Sequence, residues 1–321
     1  MKKKFDAESY LKSGSNEVRI LEYQACGHSF GINILKVNKI VSNLVDFISV
    51  PETHRAVKGM FKDMNRLVPV IDLPAFLGLS TTEESTRQKV VVTEFFGILT
   101  GLWVDRIDWI HHFKWADVID PDQVFGHIDQ RYVIGIVKPT EDRMVQLLDY
   151  ETILLDLCPH LQTADLETKT SIEADFSGKQ ILIAEDSPAV RAMLVNEFAE
   201  KGAEVIEAGD GQQAWEAFRQ KEHFDLVICD VEMPQMDGLA VTLKIRQSER
   251  SETPVIVYSS IGDIGMKARA KFLKADAHIT KLNMDKLMTS ADKLMRGEKL
   301  EPEEAVDQLP SREIDSTVPI D

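Results

Sequence analysis

Up to about residue 160 the apolar positions fall in short, partly alternating segments: 18–23, 28–41, 66–73, 89–96, 98–110, 132–138 and 144–148. Alternation with a period of two puts one row of side chains on a buried face, so each segment predicts a β-strand. Cys26-Gly27-His28, and Gly97 after Phe95-Phe96, supply residues suited to tight hairpin turns. So many short strands in so little chain predict a barrel or sandwich, followed by a short helix over 150–157.

Near residue 170 the pattern changes. Residues 161–178 are polar, lack periodicity and end in Ser177-Gly178, which reads as a linker between domains. From Lys179 onward the apolar runs ILIA (181–184), LVIC (226–229) and VIVY (255–258) alternate with helical patterns near 188–201, 211–220 and 239–248. Runs that are apolar throughout belong to parallel strands covered on both faces. A doubly wound, five-stranded parallel sheet is therefore expected, with 204–207 and 278–280 as its other strands. The chain divides into an all-β domain (15–160), the linker (161–178), an α/β domain (179–297) and a tail (298–321). The tail carries eight acidic residues against two basic ones and is expected to be unstructured.

Charge narrows the function classes. In 321 residues, 37 basic side chains face 53 acidic ones, a net charge of -16 that repels phosphate backbones, so no nucleic-acid partner is expected. The basic Met1 to Lys4 runs into polar residues with no apolar segment behind it, and no stretch of 18 apolar residues occurs. The expectation is a cytoplasmic chain without direct membrane insertion. The three cysteines, Cys26, Cys158 and Cys229, are too far apart for a metal or redox pair.

In an open parallel sheet, ligands bind at the carboxyl ends of the strands. At those ends stand Glu185-Asp186, Asp230, Ser259-Ser260 and Lys281. Each has an ordinary reading alone: a solvated strand end for Asp230, a helix cap before Pro188 for Glu185-Asp186, a surface amine for Lys281. Their convergence on one sheet edge is what no turn or helix rule supplies. Crowded carboxylates call for a cation, and an all-oxygen site suits Mg2+ better than zinc. Asp230 is then placed to attack phosphorus and form an acyl phosphate, with Lys281 and the Ser259 hydroxyl holding the phosphoryl oxygens. Such chemistry requires the Asp230 oxygens to lie near those of Asp186 and within reach of a donor.

The segments ILIAEDSPAVR (181–191), VICDVEMPQMDGL (227–239), PVIVYSS (254–260) and ADAHITK (275–281) resemble the response-regulator receiver domain, a flavodoxin-like fold. The resemblance implies that Asp230 accepts phosphate from a histidine kinase, that Asp186 binds Mg2+ directly and Glu185 through water, and that the Glu232 main-chain carbonyl completes the ligands. It makes Ser259 the switch hydroxyl and Lys281 the family's lysine. His278 replaces the family's switch aromatic, and Leu282 stands where the family has a proline joined through a cis peptide. The Glu232 side chain, two positions past the acceptor, is placed to tune hydrolysis.

The first domain has no plausible catalytic set. His111, His112 and His127 lie near Asp105, Asp108 and Asp117 in an aromatic stretch without metal-ligand spacing, and are expected in a packed or interface surface. The strings HSFGINILKVNKIV (28–41), VPETHRAVKGMFKDMNRLVPVIDLPAFLGL (50–79) and QKVVVTEFFGILTGLWVDRI (88–107) resemble the chemotaxis coupling domain of the CheW type. That implies two SH3-like barrels bridging a chemoreceptor tip (a methyl-accepting chemotaxis protein) and a CheA-type histidine kinase. Lys62-Asp63-Met64-Asn65 and Lys39 depart from that family, which has an Asn-Leu-Arg-Gly run and commonly an acid there. Val37, Met60 and Phe61 are core residues or contacts on this reading.

The order of the two domains resembles the CheV-type coupling proteins. That resemblance implies a phosphorylation-regulated scaffold at membrane-attached receptor arrays, an adaptor whose only catalysis is its own Mg2+-dependent phosphoryl transfer and dephosphorylation. Other classes are a phosphate sink for the kinase, a DNA-binding response regulator, and an inert structural receiver. The short acidic tail speaks against the second, and the intact acidic set against the third.

Overall fold

The computed structural model describes residues 17–42, 47–50, 53–64, 66–79, 87, 89–121, 124, 131–158, 174–260 and 273–301; His127, residues 161–173 and the tail beyond 301 lie outside the described residues. β1 (Glu17–Ala25) and β2 (His28–Asn33) form a hairpin whose turn residues Cys26 and Gly27 have φ of 51° and 76°. Two successive left-handed residues give the turn that follows the strands' own twist. The Cys26 N–H donates to the Asp105 carboxylate at 2.6 Å, which helps hold a non-glycine residue there. Phe96 and Gly97 repeat the device between β6 (Lys89–Phe95) and β7 (Ile98–Val104).

Three of the long apolar segments are broken in the fold. Between β2 and β3 (Val37–Ser42) lies a 3-10 turn, Ile34–Lys36, capped by the Asn33 side chain, which accepts from the Leu35 N–H at 3.1 Å. Adjacent Ile34 and Leu35 had read as more strand, and the turn instead swings Lys36 out of the sheet. Segment 98–110 breaks at Asp105 between β7 and β8 (Arg106–Lys114). Segment 66–73 ends with β5 (Arg66–Ile71), after which Asp72 caps α1 (Leu73–Phe76). β4 (Val57–Asp63) had not been expected as a strand from its mixed pattern; β9 (Val133–Thr140), β10 (Arg143–Leu148) and α2 (Tyr150–Leu157) complete the half.

The strands make two five-stranded sheets, in the orders β8-β1-β2-β10-β9 and β3-β6-β7-β5-β4. Each covers its own apolar cluster, Val18, Ile20, Val137, Val145 and Leu147 in the first and Phe61, Val68, Val70, Val90 and Val92 in the second. An ion pair between Lys39 of β3 and Asp63 of β4 joins the outer strands of the second sheet.

The second half alternates β11 (Gln180–Ala184), α3 (Pro188–Glu200), β12 (Glu204–Ala208), α4 (Gly211–Gln220), β13 (Leu226–Asp230), α5 (Gly238–Arg246), β14 (Val255–Ser259), β15 (Ala277–Thr280) and α6 (Met284–Met295). Its parallel sheet runs β12-β11-β13-β14-β15, with β13 and β14 buried along their whole length. Register places Ala184 opposite Cys229, Asp230 opposite Tyr258 and Ser259 opposite Thr280, so the strands end at one edge. Phe176, assigned to the linker from sequence, is buried and stacks on Phe198 at 5.5 Å, so residues 174–178 pack as part of this half.

α2 joins the halves. The Tyr150 hydroxyl donates to the Gly31 carbonyl at 3.1 Å and shares a hydrogen bond with Tyr23 at 2.8 Å, fixing the helix to the first sheet. Its other faces belong to an apolar cluster that continues from Phe30 and Ile153 to Val190, Leu194 and Met284.

Candidate functional site

Glu185 and Asp186 follow β11, Asp230 ends β13, Ser259 ends β14 and Lys281 follows β15. Glu185, Asp186 and Asp230 each offer an oxygen, and these oxygens lie within 4.8 Å of one another. The Lys281 ammonium is 2.7 Å from Glu185 Oε1 and 3.1 Å from Asp230 Oδ2. Gly238 lets the loop beyond Asp230 fold back closely, since a Cβ there would sit 1.9 Å from the Asp230 carbonyl oxygen. Asp237 then caps α5 by accepting from the Ala240 N–H at 2.7 Å.

Asp230 is 1% exposed, and residues of the first half meet the groups around it. Glu151, in the first turn of α2, accepts from Lys281 at 2.8 Å through Oε2 and from the Ser260 hydroxyl through Oε1. Lys36 donates to Glu151 Oε1 at 3.0 Å and ion-pairs with Glu232 Oε2 at 2.6 Å. Beside Asp186, the Ser187 hydroxyl donates to the Asp149 carboxylate at 3.1 Å. Of the two requirements set by the sequence, proximity of residues 186 and 230 is present. Open access to a donor is absent in this arrangement.

Buried charge governs the electrostatics. Five carboxylates (Glu151, Glu185, Asp186, Asp230, Glu232) share the pocket with two ammonium groups (Lys36, Lys281). Burial, with repulsion from Asp230, pushes the carboxyls of Glu185 and Asp186 well above their usual range, against the pull of Lys281. Glu232 is raised by burial despite Lys36. For Glu151 burial is overcome: Lys281 and Lys36 hold its carboxyl far below the ordinary range. Asp230 and Glu151, with Glu185 behind them, in turn keep Lys281 charged against the cost of burial.

Asp230 Oδ1 and Glu185 Oε2 are buried without a hydrogen-bond partner. Orphaned oxygens in an all-oxygen cluster with excess negative charge fit a hard divalent cation. Ser259 is fully buried at the strand end, and Ser260 is the hydroxyl that meets the other half. His278 is buried within β15, opposite Val257. Leu282 has φ of 65° and its N–H donates to the Tyr258 hydroxyl at 2.7 Å, a bond that proline could not make. No cis peptide occurs among the described residues.

Among the described residues His111 belongs to no such cluster; it pairs with buried Glu22 at 2.7 Å, which Arg143 also reaches at 2.8 Å. Sequence reasoning placed Ser260 at the sheet edge beside Ser259 without a role, and missed Lys36, Asp149 and Glu151. Only the helix start at residue 150 hinted at Glu151, and nothing in the spacing connected it with residues 185–281.

The comparisons with known proteins agree with both halves. A family model for the CheW-like domain matches residues 19–158, and one for the response regulator receiver domain matches residues 181–292. The chain joins the two in the CheV-type order. Chemotaxis protein CheV3 of Helicobacter pylori is 28% identical over 278 residues, covering 83% of this chain and 88% of that protein. Chemotaxis protein CheV2 of the same organism is also 28% identical, over 79% of this chain and 86% of that protein. Among solved structures, the scaffolding protein TtCheW from Thermoanaerobacter tengcongensis is 25% identical with a TM-score of 0.37, over 41% of this chain and 88% of that one. The chain thus carries a CheW-like domain followed by a receiver domain and is similar over most of its length to CheV chemotaxis proteins. Among the described residues no helix is long and apolar enough to cross a membrane.

Proposed function

We propose that this chain is a phosphorylation-regulated chemotaxis scaffold, in which the CheW-like half couples chemoreceptor tips to a CheA-type histidine kinase and Asp230 receives a phosphoryl group from that kinase. The observation that carries this reading is the Lys281 ammonium held between Asp230 and Glu185 at 3.1 and 2.7 Å, in a chain whose other half is CheW-like. An Asp230 oxygen attacks phosphorus, the bond from phosphorus to the donor imidazole breaks, and the ring nitrogen keeps the electron pair. Lys281 and the Ser259 and Ser260 hydroxyls at the end of β14 are the groups that would hold the transferred oxygens, with Ser259 and His278 as the switch pair. Glu185, Asp186, Asp230 and the Glu232 carbonyl would hold Mg2+, which when bound offsets charge on the transferring group. Hydrolysis by water returns Asp230 to a carboxylate.

On the outer surface of the second barrel, Ile40, Ile48, Met64 and Leu67 are exposed, Met64 at 85%, and supply an apolar surface for receptor or kinase. Association with receptor arrays follows from those partners. The enclosed Asp230 counts against a rapid phosphate sink, since a drain needs an open acceptor. The test is Asp230→Asn in the full chain, incubated with Mg2+ and phosphorylated kinase. Label transfer to wild type and none to the variant is expected. Equal labelling would overturn the assignment.

A further inference from the structure

We propose that the coupling half is an intramolecular plug for the phosphorylation site, with Glu151 standing where the phosphoryl group would be held and Lys36 supplying positive charge beside Glu232. Docking of the two halves and phosphorylation of Asp230 then exclude each other. The inference rests on Asp230 being the acceptor.

Glu151 makes the contacts that an anionic phosphoryl group at Asp230 would need. One of its oxygens takes the Lys281 ammonium at 2.8 Å and the other takes the Ser260 hydroxyl. The three N–H donors of Lys281 are already used on Glu151, Glu185 and Asp230, so a phosphoryl oxygen takes one only by displacing a present partner. The acyl phosphate would carry about -2 where the carboxylate carried -1, on the same ammonium that Glu151 holds, in a site with little water to screen it. On the cation side, Lys36 lies 2.6 Å from Glu232 and 3.0 Å from Glu151 and brings positive charge to an acidic pocket. It comes from the 3-10 turn that interrupts the strand pattern of the first sheet.

The surrounding contacts make a built interface. Asp149 caps α2 by accepting from the Thr152 N–H at 3.0 Å and also takes the Ser187 hydroxyl, next to Asp186. Among the described residues, one cavity at the junction, of about 80 Å3, is lined in part by Lys36, Phe95, Glu151, Asp186, Ser187 and Glu232. That is room for a few waters and not for the phosphohistidine of another protein. Phosphoryl transfer therefore needs the halves to part. By linkage, the factor by which docking weakens binding of a phosphoryl mimic equals the factor by which the mimic weakens docking.

The test uses the full chain in wild-type, Glu151→Ala and Lys36→Gln forms. Acyl-phosphate formation is timed with acetyl phosphate and Mg2+, and the radius of gyration is measured by small-angle X-ray scattering with and without beryllofluoride. Both variants are expected to gain acyl phosphate faster than wild type by roughly tenfold, within the usual range of coupling between sites. Beryllofluoride is expected to expand the wild-type chain. Should Glu151→Ala fail to fold, Lys36→Gln and the wild-type scattering decide. Equal rates with an unchanged radius, while Asp230 is phosphorylated, would overturn the plug and leave the acceptor standing. Acyl phosphate in none of the chains would overturn the acceptor assignment and the plug with it.

Discussion

The Leu282 N–H donates to the Tyr258 hydroxyl at 2.7 Å, and Leu282 has φ of 65° to do so. Proline, the receiver family's residue after the lysine, has no N–H and is fixed near φ of about -65°. Leu282→Pro is therefore expected to destabilise this chain by more than about 1 kcal/mol. Urea unfolding of the two forms measures it. A variant as stable as wild type would show that the loop has a second, equally good conformation.

Lys281 has a fully buried side chain and reaches Glu151, Glu185 and Asp230. Its removal leaves those acids without their shared cation. Lys281→Met is expected to cost about 3–5 kcal/mol, the usual penalty for breaking a buried pair from one side. Denaturant midpoints for wild type and variant are the measurement.

Removing the divalent cation is expected to act on chemistry and stability together. A chelator should stop phosphate uptake at Asp230, and added Mg2+ should raise the melting temperature. At about 100 times its dissociation constant, a ligand binding only the folded state adds about 2.7 kcal/mol. The melting shift is expected to be smaller in Asp186→Asn, which loses one carboxylate of the cluster whose oxygens lie within 4.8 Å.

Asp72 gives a pH prediction away from this pocket. Burial alone would raise its carboxyl, but the Arg87 guanidinium, 2.7 Å away, the Ala75 N–H and Lys58 hold it below the ordinary carboxylate range. A depressed folded-state value means stability that is present above the unfolded value of about 3.9 and lost as pH falls through the folded one. At pH 7 Asp72→Asn should be less stable than wild type. The gap should narrow below about pH 4, which chemical unfolding at a series of pH values would show.

The two halves differ in how much their sequences disclosed. In the α/β half, apolar runs end where the parallel strands end, so Glu185, Asp186, Asp230, Ser259 and Lys281 could be placed at one edge from the runs alone. The coupling half showed most of its strands and two of its hairpin turns, at Cys26-Gly27 and Phe96-Gly97. It hid the turn at Ile34–Lys36, because two adjacent apolar residues continue a strand pattern while Asn33 caps a different backbone. It also hid β4, where Lys58, Gly59 and Lys62 interrupt the alternation. Glu151 and Lys36 were invisible as site residues for another reason. Periodicity describes one element at a time, whereas the Glu151 contact with Lys281 spans 130 positions and exists only when two folded units meet.

The first barrel draws β1 and β2 from one end of its half and β8, β9 and β10 from the other, and β2 pairs in parallel with β10 through Phe30 and Gln146. Every strand of the second sheet lies between Val37 and Val104. A nascent chain can therefore finish that inner sheet while β2 still waits for β10, whose Gln146 lies 116 residues beyond its partner Phe30. The outer sheet carries the higher loop-closure cost and is the part whose edge stays unpaired longest during synthesis.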